Sequence, residues 1–264
     1  MRRIAVATLR GQRWGLALLT LGLFGFAVLI VGTYNTFGAS ISEFIRLLPP
    51  AFQSLLRAQG GLADTPNGYI AVGYRHPVYL VILAGFVISA SSSALAREIE
   101  RGTAFLLLAR PLQRWRLAGA KAAAMTVALA ALLGVSLTGT WVGATVYGVE
   151  GVVYSSLGLV ALNAGLLALA IGGVAFLVSA LASDGGAAMG LAAGIVVAMY
   201  FLDFMASLWG AIGFLGPASL FYYYDPIAVV EGGHLRTLHI AVLGGVALAG
   251  YAGALAAFQR RDLA

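Results

Sequence analysis

Ionisable side chains with catalytic potential are few in this chain and lie far apart in its sequence. The three histidines are His76, His234 and His239, and no His-Glu-x-x-His zinc motif occurs. The Gly-x-Ser-x-Gly motif of serine hydrolases is also absent. An aspartate dyad needs two acids that face each other, but Asp203 is the only acid inside a long apolar run, and Asp225 falls in a predicted loop. We therefore predict that the chain is not an enzyme and holds no metal.

No phosphate-binding loop occurs either. The nearest sequence, Gly119-Ala-Lys121-Ala, lacks both the upstream glycine and the Ser or Thr that follows the lysine in such loops. The chain has no cysteine, which excludes thiol catalysis, thiolate metal ligands and disulfides. We therefore predict no cofactor in this chain, and any ATP-driven step would need another polypeptide.

The composition is that of a polytopic membrane protein. Hydrophobic residues make up 61% of the chain and charged residues only 10%, whereas soluble domains carry about 25% charged residues. A helical span needs about 20 apolar residues. We predict an all-α fold with external loops at 35–76 and 209–236 and a cytoplasmic hairpin at 97–116. The six predicted spans are 15–34, 77–96, 117–147, 155–182, 186–208 and 237–258.

Basic residues are concentrated on one side of this topology, which predicts that this side and both termini face the cytoplasm. The net charge of +6 does not indicate nucleic acid, because the bases flank apolar spans and form no patch interleaved with aromatic residues. Bases beside spans bind anionic lipid head groups, so we predict membrane lipids as partners and no nucleic acid. The predicted cytoplasmic bases are Arg2, Arg3, Arg10, Arg13, Arg97, Arg101, Arg110, Arg114, Arg116, Lys121, Arg260 and Arg261, and the predicted external ones are Arg46, Arg57, Arg75 and Arg236.

Two segments outside the spans are amphipathic. Residues 1–14 alternate bases with apolar residues, which predicts a short elbow helix in the membrane interface; a simple basic topology anchor is the alternative. Residues 41–60 are interrupted by Pro49 and Pro50 and are too broken to span. We expect one or two short helices there, on the outer face.

Small residues recur every fourth position in three predicted spans. This spacing lets helix backbones approach closely in lipid. The stripes predict either a dimer or gating interface or packing within one subunit. They are Gly186, Gly190 and Gly194 in the fifth span, Gly139 and Gly143 in the third, and Gly245, Ala249 and Gly253 in the sixth.

Three polar residues within the spans are candidates for a translocation path. Asp203 lies near the predicted outer interface, and an acid in a span suggests function because its burial is costly. A hydrogen-bonded structural role is the alternative. Asn163 and Ser92 complete the set, although serines in membrane helices more often bond to the carbonyls of their own helix.

The segment from Glu98 to Lys121 is a charged island in this apolar sequence. Gly102 and Thr103 can end the second span and cap a new helical turn, and Pro111 ends that turn. The result is a hairpin whose tip carries apolar residues on the cytoplasmic side. Exposed apolar surface of this kind indicates a protein contact; lying back in the membrane interface is the alternative. The tip residues are Phe105, Leu106, Leu107 and Leu108.

The order of these motifs resembles ABC-2 type permeases over essentially the whole chain. The resemblance starts with Glu98-x-Glu100-x-Gly-Thr, Leu107-x-x-x-Pro-x-x-Arg114 and Gly119-x-Lys121. It continues in Pro49-Pro50-Ala-Phe, in Gly68-Tyr69, in Tyr222-Tyr-Tyr-Asp-Pro before Gly232-Gly233, and in the ending Phe258-x-Arg-Arg-Asp-Leu. The chain is most similar to the subgroup that contains the permease for nitrous-oxide reductase maturation. One departure is Ile99, which separates two acids that are often adjacent in the family.

This resemblance implies a type V exporter fold in a prokaryotic cell membrane. Two six-span subunits, alike or different, would associate with two separate ATP-binding subunits, which would bind ATP and magnesium. The loop after the second span would be the coupling helix, docked on the ATPase beside the elbow helix. The coupling candidates carried over are Glu98, Glu100, Thr103, Phe105, Leu107, Arg110 and Arg114.

Two other functions remain possible from the sequence. A membrane anchor or sensor would use the same hairpin to recruit a soluble partner without transport. An ion-coupled carrier would need ionisable residues near the middle of the membrane, and the predicted spans offer almost none.

Overall fold

The computed structural model describes residues 2–38, 47–49, 65–100 and 114–260, with side chains from residue 4 onward. The short helices predicted within 41–60 lie outside the described residues, apart from 47–49. The tip of the predicted hairpin, with Thr103, Phe105, Leu107 and Arg110, also lies outside them.

Every regular element in the described ranges is helical. A π-helical turn at Tyr34–Gly38 continues α2, and 3-10 helices occupy Gly210–Ala218 and Leu220–Tyr223. The α-helices are α1 Arg2–Gly11, α2 Arg13–Thr33, α3 Pro66–Arg75, α4 Pro77–Ala94, α5 Ala96–Glu100, α6 Arg114–Tyr147, α7 Tyr154–Leu181, α8 Gly185–Leu208, α9 Pro226–Gly232 and α10 Thr237–Arg260.

Six helical segments of the described chain are long and apolar enough to cross a membrane, as the sequence predicts. We call them the first to sixth spans in chain order. They are Arg13–Gly38, Pro77–Glu100, Arg114–Tyr147, Tyr154–Leu181, Gly185–Leu208 and Thr237–Arg260. The protein is therefore an all-α polytopic membrane protein.

Local capping fixes where several helices begin. Thr65, His76 and Asp225 each precede a proline, and each side chain accepts a hydrogen bond from a backbone amide two or three residues later. Proline at the first helical position loses no hydrogen bond, because that amide has no partner within the helix. The Asp184 carboxylate caps the fifth span by accepting from the amide of Ala187 at 2.5 Å.

The bundle has two chemically different ends. We call the end that carries α1, α5 and the start of the third span the basic end. The other end, with α3, the 3-10 helices and α9, is called the opposite end. Aromatic side chains are exposed at both, as expected of residues that sit at membrane–water interfaces. They are Trp14 and Trp115 at the basic end and Tyr147, Tyr154 and Trp209 at the opposite end.

The fourth and sixth spans touch backbone to backbone. A Cβ added at Gly250 would lie 2.5 Å from the carbonyl carbon of Gly173, and one added at Gly173 would lie 2.9 Å from the carbonyl oxygen of Ala247. In the stripe predicted for the sixth span, Gly245 and Ala249 are exposed, so these two positions do not pack within the described subunit. The buried stripe consists of Leu243, Ala247, Gly250, Ala254 and Phe258.

The small residues of the third span serve packing within the subunit. A Cβ at Gly139 would lie 2.8 Å from the carbonyl oxygen of Phe24, and one at Gly143 would lie 3.2 Å from the Cα of Val28. The first span therefore lies directly against the third, at a distance that only glycine permits.

The loop predicted at 35–76 contains a packed helix, α3. Its residues Ile70, Ala71 and Tyr74 are buried. Gly73 lets it approach the first span, since a Cβ there would lie 2.5 Å from the Cγ2 of Ile30. Helix α3 is too short to cross the membrane, and it covers the opposite end of the core instead.

We expect Gly250→Ala to destabilise the protein, because the added methyl would collide with the backbone of Gly173. Overpacking of this kind costs about 1–3 kcal/mol or more. Thermal unfolding in detergent would measure the loss. The control is Gly245→Ala, where an added Cβ meets nothing within 4 Å; equal melting temperatures for the two variants would contradict the backbone contact.

Candidate coupling site and polar networks

The second span is broken at Leu95, just before the predicted coupling segment. The backbone of Leu95 leaves the helical region at φ −121° and ψ −55°. The amide of Ala96 donates to the Ser179 hydroxyl at 3.0 Å, and this hydroxyl donates to the Ser92 carbonyl at 3.2 Å. Ser179 therefore bridges the amide and carbonyl that would pair directly in an unbroken helix.

Glu98 pairs with the one lysine of the chain, Lys121 of the third span. The Lys121 ammonium donates to Glu98 Oε1 at 2.6 Å, and the lysine side chain is only 7% exposed. A charge buried this deeply needs a partner, because an unpaired charge in the interior is strongly destabilising. The first acid of the predicted coupling set is therefore bound to its own subunit in this conformation.

Glu100 contacts the start of the fifth span. Its Oε2 accepts a hydrogen bond from the Gly185 amide at 3.0 Å. Carboxylates are favoured at this position by the unpaired amides and the positive dipole of a helix N-terminus. A Cβ at Gly185 would lie 3.1 Å from both Glu100 Oε2 and Arg97 Cβ, so glycine permits this close contact.

Arg114 holds the start of the third span to the end of the sixth. Its Nη1 donates to the carbonyls of Phe258 at 3.5 Å and Gln259 at 3.4 Å. These carbonyls lie in the last turn of the helix, where basic side chains are favoured. The described residues on either side of 101–113 are thus joined to the third, fifth and sixth spans.

At the opposite end, Arg75 bridges two acids from different elements. Its Nη2 lies 3.7 Å from Asp203 Oδ2 in the fifth span, and its Nη1 lies 3.7 Å from Asp225 Oδ1 at the start of α9. The Asp203 side chain is 16% exposed, so the arginine offsets much of the cost of placing this acid in a span.

Asn163 is buried in the fourth span and binds the chain that leads into α9. Its Nδ2 donates to the Tyr223 carbonyl at 3.2 Å, and its Oδ1 accepts from the Asp225 amide at 3.3 Å. In this conformation, therefore, the predicted path residues Asp203 and Asn163 both hold the opposite-end segments in place.

Two tyrosines extend this network inward. The Tyr224 hydroxyl donates to the Tyr74 carbonyl at 2.8 Å, and the Tyr74 hydroxyl lies 3.1 Å from Thr140 Oγ1 in the third span. Burial raises the pKa of both tyrosines above the ordinary value, so both remain protonated and able to donate.

Ser92, the third predicted path residue, is 1% exposed, and its Oγ has no hydrogen-bond partner among the described residues. A groove of about 290 Å³ lies nearby, between the second and fifth spans, and its lining is almost wholly apolar. That lining includes neither Asp203, Asn163 nor Ser92. It includes Leu80, Ala84, Ile88, Val196, Tyr200 and Phe221.

The fifth span buries only one stripe of small and branched residues, at Gly185, Ala188, Ala192 and Val196. Gly186, Gly190 and Gly194 lie on its exposed side. A Cβ added at Gly190 or Gly194 would meet nothing within 4 Å. Packing within the described subunit therefore gives no reason for glycine at these two positions, in contrast to the third span.

Metal-ligating side chains do not gather anywhere in the described residues: no group of three His, Cys, Asp or Glu could hold an ion. The three histidines have separate surroundings. His76 caps the second span through its Nδ1, His234 is exposed beside Gly232, and His239 is buried against Tyr223.

Comparison with models of known protein families shows which family the chain belongs to. The family model for ABC-2 family transporter proteins matches residues 6–263 of the chain. The chain belongs to this family. No curated protein matches the sequence significantly. The protein is thus the permease subunit of an ABC transporter, and it works with an ABC ATPase subunit. The subgroup named from the sequence stays a prediction.

In this ABC-2 transporter protein, the sequence analysis named Glu98, Glu100 and Arg114 as coupling candidates, and these roles stay predictions. It did not name Arg75, Asp225, Lys121 or Ser179 as site residues, although each holds part of the networks described above. Lys121 appeared in the sequence analysis only as a cytoplasmic base and in the motif Gly119-x-Lys121, so its pairing with Glu98 was not predicted. Ser179 carries no signal, because it is one serine near the end of an apolar run. Its importance depends on the break at Leu95, which is visible only in three dimensions.

We expect Ser179→Ala to loosen the break in the second span, because the Ala96 amide and the Ser92 carbonyl lose their shared partner. Leaving a buried amide unpaired costs about 1–3 kcal/mol. Amide hydrogen exchange over residues 92–100 should accelerate, and the melting temperature should fall. Ser207→Ala is the control, since the exposed Ser207 hydroxyl bonds only to the Phe204 carbonyl. Identical exchange in the two variants would argue against the bridge.

Proposed function

We propose that this permease forms a dimer, couples to separate ATP-binding subunits through residues 98–114, and exports its substrate. The observation that carries this proposal is the anchoring of both flanks of residues 101–113. Upstream, Glu98 and Glu100 contact the third and fifth spans. Downstream, Arg114 contacts the sixth.

This anchoring favours mechanical coupling over simple docking. A partner that displaces residues 101–113 would pull on the Glu98–Lys121 pair and on the N-terminus of the fifth span together. The break at Leu95 separates α5 from the rest of the second span, so α5 could tilt while α4 keeps its packing. Hinges of this kind occur at the ends of elements, where few backbone bonds must change.

The second permease subunit would cover the open side of the fifth span. Glycines at 186, 190 and 194 would let another helix approach closely there, and they have no such neighbour within the described subunit. The apolar groove between the second and fifth spans would then face the partner. Two such grooves together would enclose a path suited to apolar or amphipathic cargo.

The basic end would face the cytoplasm of a prokaryotic cell, in accordance with the positive-inside rule. ATP and magnesium would bind to the ATPase subunits on that side. The elbow helix α1 would lie in the same interface, with Ile4 packed on the core beneath it.

A test of the coupling segment uses the chain co-expressed with its ABC ATPase subunit. Phe105→Asp with Leu107→Asp should reduce co-purification of the ATPase by at least about tenfold, because burying each side chain is worth about 1.5–3 kcal/mol. The control is Phe214→Asp at the opposite end, where Phe214 is 77% exposed. Undiminished co-purification and coupled ATP turnover in the double variant would disprove the assignment.

Because the chain has no cysteine, its orientation can be tested with single introduced thiols. Phe214→Cys should react with a membrane-impermeant maleimide in intact cells. Arg116→Cys, at the basic end, should react only after the membrane is opened. The reverse pattern would place the basic end outside and refute the proposed topology.

A further inference from the structure

A furrow runs along the basic half of the bundle, between the first and second spans and beneath α1. It consists of two adjoining cavities of about 550 and 600 Å³. Both cavities are lined by Gly11, Gln12, Ala90, Ser93 and Arg97, so they meet at the bend between α1 and the first span.

Glycines keep this furrow open. A Cβ added at Gly11, Gly15 or Gly85 would meet nothing within 4 Å. These glycines are therefore not required by close packing in the described subunit, unlike Gly139 or Gly250. Their missing side chains leave room along both walls of the furrow.

The furrow is apolar along its inner part and charged at its mouth, as a phospholipid is apolar in its acyl chains and charged in its head group. Its inner part is apolar, with Leu16, Leu19, Val81 and Ile82 on its walls. From Val81 to Arg97 the second span rises about 24 Å. Half of a bilayer's hydrocarbon core is about 15 Å thick, so the furrow is long enough to take an acyl chain of one leaflet.

The charge at its mouth is positive. Arg97 is partly exposed and, among residues 4–38, 65–100 and 114–260, has no carboxylate within 4 Å. The one acid in the lining, Glu98, is offset by the Lys121 ammonium. The guanidinium of an arginine binds a phosphate through two parallel hydrogen bonds, and basic pockets between membrane helices are suited to anionic head groups.

We propose that this furrow binds one phospholipid with an anionic head group. The phosphate would lie on Arg97 beside Gln12, and an acyl chain would lie between the first and second spans towards Val81. In the proposed orientation the lipid comes from the cytoplasmic leaflet. The binding itself does not depend on transport.

Lipid binding would also affect the position of the coupling segment. Arg97 belongs to α5, directly before Glu98 and Glu100, so an occupied furrow holds α5 against α1 and the first span. An anionic lipid in the furrow would therefore help to set the position of the coupling segment.

Native mass spectrometry of the full-length chain, with added phosphatidylglycerol, tests the proposal. Arg97→Gln should weaken retention of this lipid by about fivefold, the weight of one basic residue at a membrane surface. Phosphatidylcholine should bind more weakly to the wild type and should respond less to the substitution. The control is Arg116→Gln, whose guanidinium lies over Trp115, outside the furrow.

Gly15→Leu provides a second test, because it fills the furrow where an added Cβ meets nothing within 4 Å, and Gly15 does not line the groove between the second and fifth spans. It should displace both lipids and leave the melting temperature of delipidated protein unchanged. Equal lipid retention in the wild type and both furrow variants would overturn the proposal. Loss of a dimer without loss of lipid would assign the furrow to a protein neighbour instead. Neither result requires the ATPase, so failure here is distinct from failure of the coupling assignment.

Discussion

A polar backbone group inside a membrane must find a partner within the protein, because no water is there to replace one. This constraint explains most of the polar contacts in the bundle. Where the second span breaks at Leu95, the hydroxyl of Ser179 takes the place of the missing direct hydrogen bond. Where a helix begins at the opposite end, Thr65, His76 or Asp225 satisfies a free amide.

The same constraint governs the charges. Lys121 is buried and paired with Glu98, and Arg75 lies between Asp203 and Asp225. Each pair joins segments that are distant in sequence, so each also fixes how the spans are arranged. The two sites differ in geometry: the Glu98–Lys121 contact is short, at 2.6 Å, while both contacts of Arg75 are 3.7 Å. The Glu98–Lys121 pair is therefore joined by a direct hydrogen bond, whereas Arg75 attracts its two acids across a longer distance.

The number of spans could be predicted from the sequence because a run of about twenty apolar residues has the length and composition of a helix that crosses a membrane. The elbow helix followed from alternating bases and apolar residues, and the family from the order of the motifs. Helix α3 could not be predicted in the same way, since its ten residues include two glycines and resemble a loop until their packing against Ile30 is known. Glycine stripes were visible, but their roles were not. Gly139 and Gly190 have the same spacing in the sequence, yet within the described ranges a helix packs against Gly139 and none packs against Gly190.

The contact between Gly173 and Gly250 has a consequence for how this protein can move. Two helices whose backbones touch have no side-chain layer between them that could repack, so they cannot slide or turn against each other without first separating. We therefore expect the fourth and sixth spans to move as one rigid unit. In the coupling that we propose, changes of shape would fall to the helices around this unit. The second span, broken at Leu95, and the fifth span, open along one side, are the first candidates.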